Sequence, residues 1–336
     1  MRIRQTITVA LLALLLPLSP VAQEPQWLWV HFVPKQVKVN AQSVALSPAA
    51  LQRRAKQGIA LDRTDLPVDP TYTERIEALG CNCRSPLRWQ NATLCELTQE
   101  QAEQVQALPF VRQLSWLNRV ARVARNAPEM VVPQDTARRL SKPAGIPWWL
   151  TALGYEYPEA GQGIKIAVFD DGFGGVDTVQ HYREVMERGF IKATRSFVAD
   201  THHNVYRIGG HGTAVLSLMT GSSDYLMPLV SDFYLARTED MFSESMQEEY
   251  NWAAAAEWAD SLGVQIIQSS VGYNIFTSRT QQWPSHTIGE LTGDSAVITK
   301  AADMAARKGI LVVNSAGNEG RANWERILFP ADGDSV

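Results

Sequence analysis

Two rhythms of apolar and polar positions divide the chain. In the first, short runs of aromatic and β-branched residues alternate with capped amphipathic stretches. Trp27-Leu28-Trp29-Val30-His31-Phe32-Val33 suits a strand. Ser47-Pro48 opens a helix that runs to Gln57 and stops at Gly58, and a second helix spans Thr71 to Leu79 with Gly80 as its stop. A strand over Ala92 to Leu97, a helix over Thr98 to Leu108 and a last strand from Phe110 to Leu114 complete a small α+β unit of about ninety residues.

The second rhythm begins after Gly161-Gln162-Gly163. Ile164 to Phe169 is almost continuously apolar and ends at Asp170-Asp171-Gly172, which predicts a strand buried on both faces. From Glu244 to Leu262 a helix carries Met246, Tyr250, Ala253, Ala254, Trp258 and Leu262 on one side, and Gly263 closes it. The strand Val264 to Ser269 follows. Asp294 is placed to cap a second helix with Val297, Ile298, Ala301 and Ala305 inward, stopped by Gly309 before the strand Ile310 to Val313. Strand, helix, strand, helix, strand with short joints predicts an α/β fold, a parallel sheet with helices on both faces and right-handed crossovers. A segment rich in Arg, Ala and Pro, 121–158, joins it to the first unit.

The N-terminus belongs to neither rhythm. Met1-Arg2-Ile3-Arg4, an apolar run from Ile7 to Leu16 and small residues near Ala22 make a secretory signal over residues 1–22. The run stops at Pro17, far short of the ~20 residues that span a bilayer, so no membrane span is expected. The expected location is secreted or periplasmic. The chain then divides into this signal, an α+β unit over 23–120, the joining segment 121–158 with a processing site, and the α/β unit over 159–336.

Composition sharpens this division. At 45% hydrophobic and 20% charged residues, the 336-residue chain can build sizeable cores. Thirty-one basic against thirty-five acidic side chains leave no basic surplus for nucleic acid. The signs are unevenly spread: residues 23–158 hold 16 basic and 12 acidic groups, whereas 159–336 hold 13 and 23. Two segments that attract one another across an interface would show this split. Cys81, Cys83 and Cys95 all lie in the first unit; a pair using Cys95 closes a short loop and leaves an odd thiol. No histidine stands at ligand spacing from them, and no metal site is expected.

Chemistry is expected where strands of a parallel sheet end. Asp170 ends the first strand, Ser270-Val271-Gly272 the middle one, and Ser315-Ala316-Gly317-Asn318-Glu319-Gly320 the last. Gly210-His211-Gly212-Thr213 opens a further apolar helix. A buried acid can hold an imidazole in one tautomer while its free nitrogen takes a proton from a hydroxyl, and an asparagine on a glycine-rich turn can donate to an oxyanion. The neighbouring features invite blander readings. Asp171 is expected to face solvent, His202-His203 to lie in a polar loop, and the acidic run Glu239, Asp240, Glu244, Glu248, Glu249 to form a solvated helix face.

In the order Asp-Gly, His-Gly-Thr, Ser-x-Gly, Ala-Gly-Asn-Glu-Gly, residues 160–336 resemble the subtilisin-like serine peptidases, the subtilases. The resemblance implies Asp170 as the acid orienting histidine, His211 as general base, Asn318 as oxyanion donor and Ser270 to Gly272 as the edge that pairs with polypeptide substrate. It implies a serine endopeptidase whose first unit is its own propeptide. No cofactor is required for the chemistry; structural calcium is common in such enzymes. The family's nucleophile motif, Gly-Thr-Ser-x-Ala, does not occur in these 336 residues. The expectation is therefore a fragment of a longer product, inactive by itself. The rival readings are a catalytically dead peptide-binding homologue and a signalling receiver domain; export argues against the receiver, and His-Gly-Thr has no role there.

Overall fold

The computed structural model describes residues 25–116, 152, 161–220, 230–278 and 282–336. The expected signal 1–22 and the joining segment 121–158, apart from Ala152, lie outside the described residues.

The first unit is a four-stranded antiparallel sheet, β1 (Gln26–Phe32), β2 (Asn82–Leu87), β3 (Ala92–Leu97) and β4 (Val111–Trp116), in the order β2-β3-β1-β4. Helix α1 (Pro48–Lys56) starts after Ser47 as expected, α2 (Pro70–Glu77) one residue ahead of the expected Thr71, and α3 (Gln99–Gln106) directly after Thr98. Ser47, Asp69 and Thr98 each accept a backbone N–H of the first turn. Period-two alternation gives β1 two different burial faces. Leu28, Val30 and Phe32 join Ile76, Val105 and Phe110 in the unit's own core, whereas Trp29 points the other way into a second core. A disulfide joins Cys83 on β2 to Cys95 on β3, and Cys81 is a buried free thiol.

The second unit is a parallel sheet in the order β11-β9-β5-β7-β6. Its strands are β5 (Lys165–Asp170), β6 (Ile191–Ser196), β7 (Asp232–Arg237), β9 (Ile266–Ser269) and β11 (Leu311–Asn314). A short antiparallel pair, β8 (Ser243–Glu244) with β10 (Thr277–Ser278), lies outside it. Ile166 and Val168 of β5 pack toward α4 (Arg183–Glu187) and α5 (His211–Thr220), while Ala167 and Phe169 pack toward α6 (Met246–Leu262) and α7 (Val297–Arg307). Helices therefore cover both faces of a continuously apolar central strand.

Helix α6 departs from the one-sided pattern read in the sequence. Trp252, Ala255, Ala256 and Ala259 are buried as well as Tyr250 and Ala253. The reason is that α6 lies between the two sheets: the ring of Trp29 stacks on Tyr250 at 4.2 Å, while Trp252 meets Phe169 edge-on. Alanines along the helix let both sheets approach.

The charge split has a local form at this junction. Asp260 of α6 is fully buried and accepts hydrogen bonds from Arg53, from Arg54 Nη2 at 2.8 and 2.9 Å, and from Arg88 Nη2 at 2.6 Å. Arg54 also grips Asp65 at 3.0 and 3.2 Å, and Lys308 Nζ reaches Asp62 and Asp65. Glu257 accepts the backbone N–H groups of Arg88 and Trp89 at 2.9 and 2.8 Å. Apart from the exposed Asp62 these groups are enclosed, so salt acts on the encounter of the two units far more than on the docked state.

Two further expectations are corrected here. Asp294 does not cap α7; Ala296 occupies that position without a side-chain bond, and Asp294 binds Thr292 instead. The capping carboxylate comes from another helix: Glu249 Oε2 accepts from Val297 N at 2.9 Å and Ile298 N at 3.2 Å, while Oε1 pairs with His286. Glu248 and Glu249 are consequently buried, not a solvated face. His202, by contrast, does lie in a polar loop, where its backbone N–H bonds to Asp200.

Asp260→Ala would leave three enclosed guanidinium groups without their common acceptor. We expect a loss of about 3–5 kcal/mol, read as a lower denaturant midpoint at unchanged slope. An unshifted midpoint would mean the pairs are incidental to the docking of the two units.

Candidate active site

The site forms where β5, β9 and β11 end side by side. Asp170 is the last residue of β5, hydrogen-bonded through its backbone carbonyl to Thr238 N after β7, and fully buried. Its Oδ1 accepts from Asp171 N at 2.8 Å and lies 2.8 Å from His211 Nδ1. Its Oδ2 has no partner among the described residues. His211 opens α5, with 58% of its side chain exposed, so one ring nitrogen is anchored and Nε2 faces no protein acceptor among the described residues. Gly212 makes this contact possible: a Cβ there would stand 2.7 Å from the Cβ of Asp170.

The titration of this pair is shared. Burial pushes the Asp170 carboxyl up to about 7, against hydrogen bonds from Asp171 and His211 that pull it down. Burial also lowers the imidazole pKa of His211, but its bond to Asp170 and the charges of Asp170 and Asp171 outweigh it and hold it above the ordinary value. Near neutrality the pair holds a proton between them.

Ser270, Val271 and Gly272 extend β9 along a cleft of about 710 Å³ whose other walls include Asp171, Asn318 and Leu328. None of the three makes a backbone–backbone hydrogen bond among the described residues. Asn314 Nδ2 donates to the carbonyl of Val271 and of Ser315, tying the ends of β9 and β11 together. Asn318 follows the turn at Gly317, is exposed, and lines the cleft. The structure thus brings Asp170 to His211 and places Asn318 and Ser270–Gly272 on one cleft.

Asp171 is not turned to solvent as the sequence suggested. Its carboxylate accepts from Gly210 N at 3.3 Å, His211 N at 3.4 Å and Gly212 N at 3.1 Å. The acidic run expected as a solvated face instead gathers three of its members on the cleft's far wall. Carboxylate oxygens of Glu239, Glu244 and Glu248 lie within 4.8 Å of one another. The run Ser245-Met246-Gln247-Glu248 carried one signal for it, a capping box, and Glu248 does accept Ser245 N.

This set does not make a calcium cage. Glu239 already accepts from the hydroxyls of Thr238 and Tyr273, and Glu248 from the N–H groups of Asp240 and Ser245. Among the described residues the carboxylate of Glu244 alone of the three accepts no hydrogen bond, whereas Ca²⁺ takes about 6–8 oxygens. Burial and the neighbouring Glu244 push Glu239 up to about 8, and burial pushes Glu244 up to about 7 and Glu248 well above the carboxylate range.

An acid at the end of a central parallel strand, a histidine on the first turn of the adjacent helix and an open peptide edge beside them define the subtilisin-like serine peptidase fold. The profile of the subtilase family matches residues 161–336, and that of the peptidase S8 propeptide domain of Bacteroidota matches 27–130. The chain belongs to the subtilase family, and its first unit is a propeptide domain. No curated protein matches the chain.

Among solved structures it is similar to the epidermin leader peptide processing serine protease EpiP (S393A mutant) of Staphylococcus aureus. The identity is 16% and the TM-score 0.53, over 93% of this chain and 69% of that one. It is also similar to the prenylagaramide maturation protease PagA, at 20% identity and TM-score 0.36 over 56% of each chain. MycP1 of Mycobacterium smegmatis matches at 15% and 0.32 over 57% of each. The likeness to EpiP concerns the fold and extends over nearly the whole chain. This chain spans little more than half the length of the other two. Among the described residues no helix is long and apolar enough to cross a membrane.

Glu244 gives the acidic wall a pH signature. Its folded pKa, about 7, lies above the unfolded 4.5, so the unfolded chain releases its proton first and stability falls as pH rises between those values. Glu244→Gln should therefore gain thermal stability over the parent progressively from pH 4.5 to 7 and by a constant amount above. Equal melting shifts at pH 4 and pH 8 would contradict this.

Proposed function

We propose that the gene product is an exported serine endopeptidase made as a zymogen. The observation that carries the reading is the 2.8 Å contact between His211 Nδ1 and the buried Asp170 at the end of β5. Asp170 fixes the tautomer in which Nδ1 carries the proton, which leaves Nε2 as the base that takes a proton from a serine hydroxyl and returns it to the leaving amine. That serine is supplied from outside these 336 residues, since the chain contains no Gly-Thr-Ser-x-Ala. The chain by itself is therefore inactive.

An extended polypeptide pairs as an added strand with the backbone edge of Ser270–Gly272, which makes no backbone–backbone bond among the described residues. The side-chain amide of Asn318 donates to the oxyanion that develops on the scissile carbonyl. The chemistry needs no cofactor. Export rests on the signal-like residues 1–22. The absence of the nucleophile motif also suits a catalytically dead homologue that keeps the cleft and binds peptides.

In the complete product, His211→Ala should abolish peptide hydrolysis, and Asp170→Asn should be nearly as harmful. Asn318→Ala should lower kcat by about 10²–10³ with KM little changed, because the oxyanion exists only in the transition state. A product that binds peptides without cleaving them, whatever stands at 211, is the dead homologue. Equal loss in kcat and substrate affinity at Asn318 would make that residue structural.

The propeptide reading has its own assay. Residues 23–120, added in trans to the mature enzyme, should inhibit it and assist its refolding, with association slowed by salt. Neither effect at low salt would leave a permanent accessory domain as the better description.

A further inference from the structure

Asp171 is not used by the mechanism above, yet it is bound into the same contact. Its main chain bonds twice: its N–H to Asp170 Oδ1 at 2.8 Å and its carbonyl to Arg237 Nε at 3.3 Å. With the backbone held at both ends, the carboxylate lies against three consecutive N–H groups, those of Gly210, His211 and Gly212, at 3.1–3.4 Å. These are donors that a helix start leaves without intrahelical partners, and the positive end of the helix dipole favours a negative charge beside them. The approach is close enough to exclude side chains. Gly209 has φ +75°, and a Cβ there would lie 2.6 Å from both the carbonyl oxygen and Oδ1 of Asp171.

We propose that Asp171 is a positioning residue for His211, clamping the first turn of α5 to the end of β5 so that the imidazole meets Asp170 in register. The inference rests on reading Asp170 and His211 as the acid–base pair. Two neighbouring carboxylates divide the work: Asp170 holds the ring, and Asp171 holds the backbone that carries the ring. No other acidic side chain bonds to these three N–H groups among the described residues.

Asp171 also brings a second negative charge to the imidazole. The other charged or titratable groups packed around this point are already committed. Arg237, at the end of β7, is fully buried and paired with Asp200, and the field of Glu239 bears on Asp170. From the far side, Tyr182 donates its hydroxyl to the carbonyl of Thr213 on α5. Loss of the Asp171 charge thus favours the neutral imidazole, and the acid limb of the activity profile should move to lower pH.

The experiment uses the complete gene product with Asp171→Asn and Asp171→Ala, assayed with a peptide ester over a wide pH range. Both should lower kcat by about 10- to 100-fold with KM little changed, as expected for a displaced general base. Both should shift the acid limb to lower pH. The asparagine, which keeps an acceptor oxygen, should recover part of the turnover lost in the alanine variant while showing the same displaced limb. An unshifted limb, a loss confined to KM, or failure of both variants to fold would overturn the proposal in favour of a purely structural role. If His211→Ala stays active, the reading of the pair itself fails; if it is dead while Asp171→Asn behaves as the parent, only the present inference fails.

Discussion

Asp260 sits in a place where a carboxylate alone could not remain charged, and the two units of this protein meet around it. It is fully buried on α6, and the groups that neutralise it come from α1 and from the end of β2 in the propeptide domain. Desolvating such a charge costs several kcal/mol unless partners replace the lost water. Once α6 carries Asp260 and Glu257 toward the first sheet, the catalytic unit therefore has a face complete only with the propeptide on it. The stack of Trp29 on Tyr250 adds apolar area to the same junction. Asp170 stands on the other side of this helix, since Phe169, which packs on Trp252, immediately precedes it.

A different economy governs the active-site end. Three backbone N–H groups donating to the Asp171 carboxylate draw the end of β5 and the start of α5 together with glycines between them, and the charged groups are placed by main chain more than by side-chain packing. Asp170, Asp171 and His211 are close because the chain at Gly209 and Gly212 has nothing on its α-carbons to keep them apart. The acidic wall of Glu239, Glu244 and Glu248 follows another rule. Hydroxyl and backbone donors satisfy two of its members in place of water, and burial, with the neighbouring carboxylates adding to it for Glu239 and Glu248, keeps protons on them into the neutral range.

Strands β5, β9 and β11 and helices α6 and α7 were legible because continuous apolar runs and terminal glycines mark them; Asp170 and Ser270 fall at the ends of β5 and β9, Asn318 on the turn after β11, and His211 at the start of α5. Strand β7 was not read: Phe233-Tyr234-Leu235-Ala236 is a short apolar run without a neighbouring motif. The outer strands β2 and β6 were not legible: β2 contains Pro86 and β6 is largely polar, as strands at a sheet edge tend to be. Apart from Asp170, the fate of these carboxylates was not legible. Asp171 finds its donors 39 to 41 residues away, Glu249 caps a helix 48 and 49 residues on, and Glu257 meets Arg88 and Trp89 across 169 and 168. No local pattern reveals an acid whose partners are supplied by the tertiary fold.

The propeptide domain has a core of its own, formed by Leu28, Val30, Phe32, Ile76, Val105 and their neighbours, all within residues 26–116. A ribosome makes that part first. By the time Tyr250, Glu257 and Asp260 are polymerised, the surface that will shield them has had more than a hundred residues of synthesis in which to assemble. The order of the two units along the chain is thus a timetable: the cover is ready before the helix that cannot stay wet and bare.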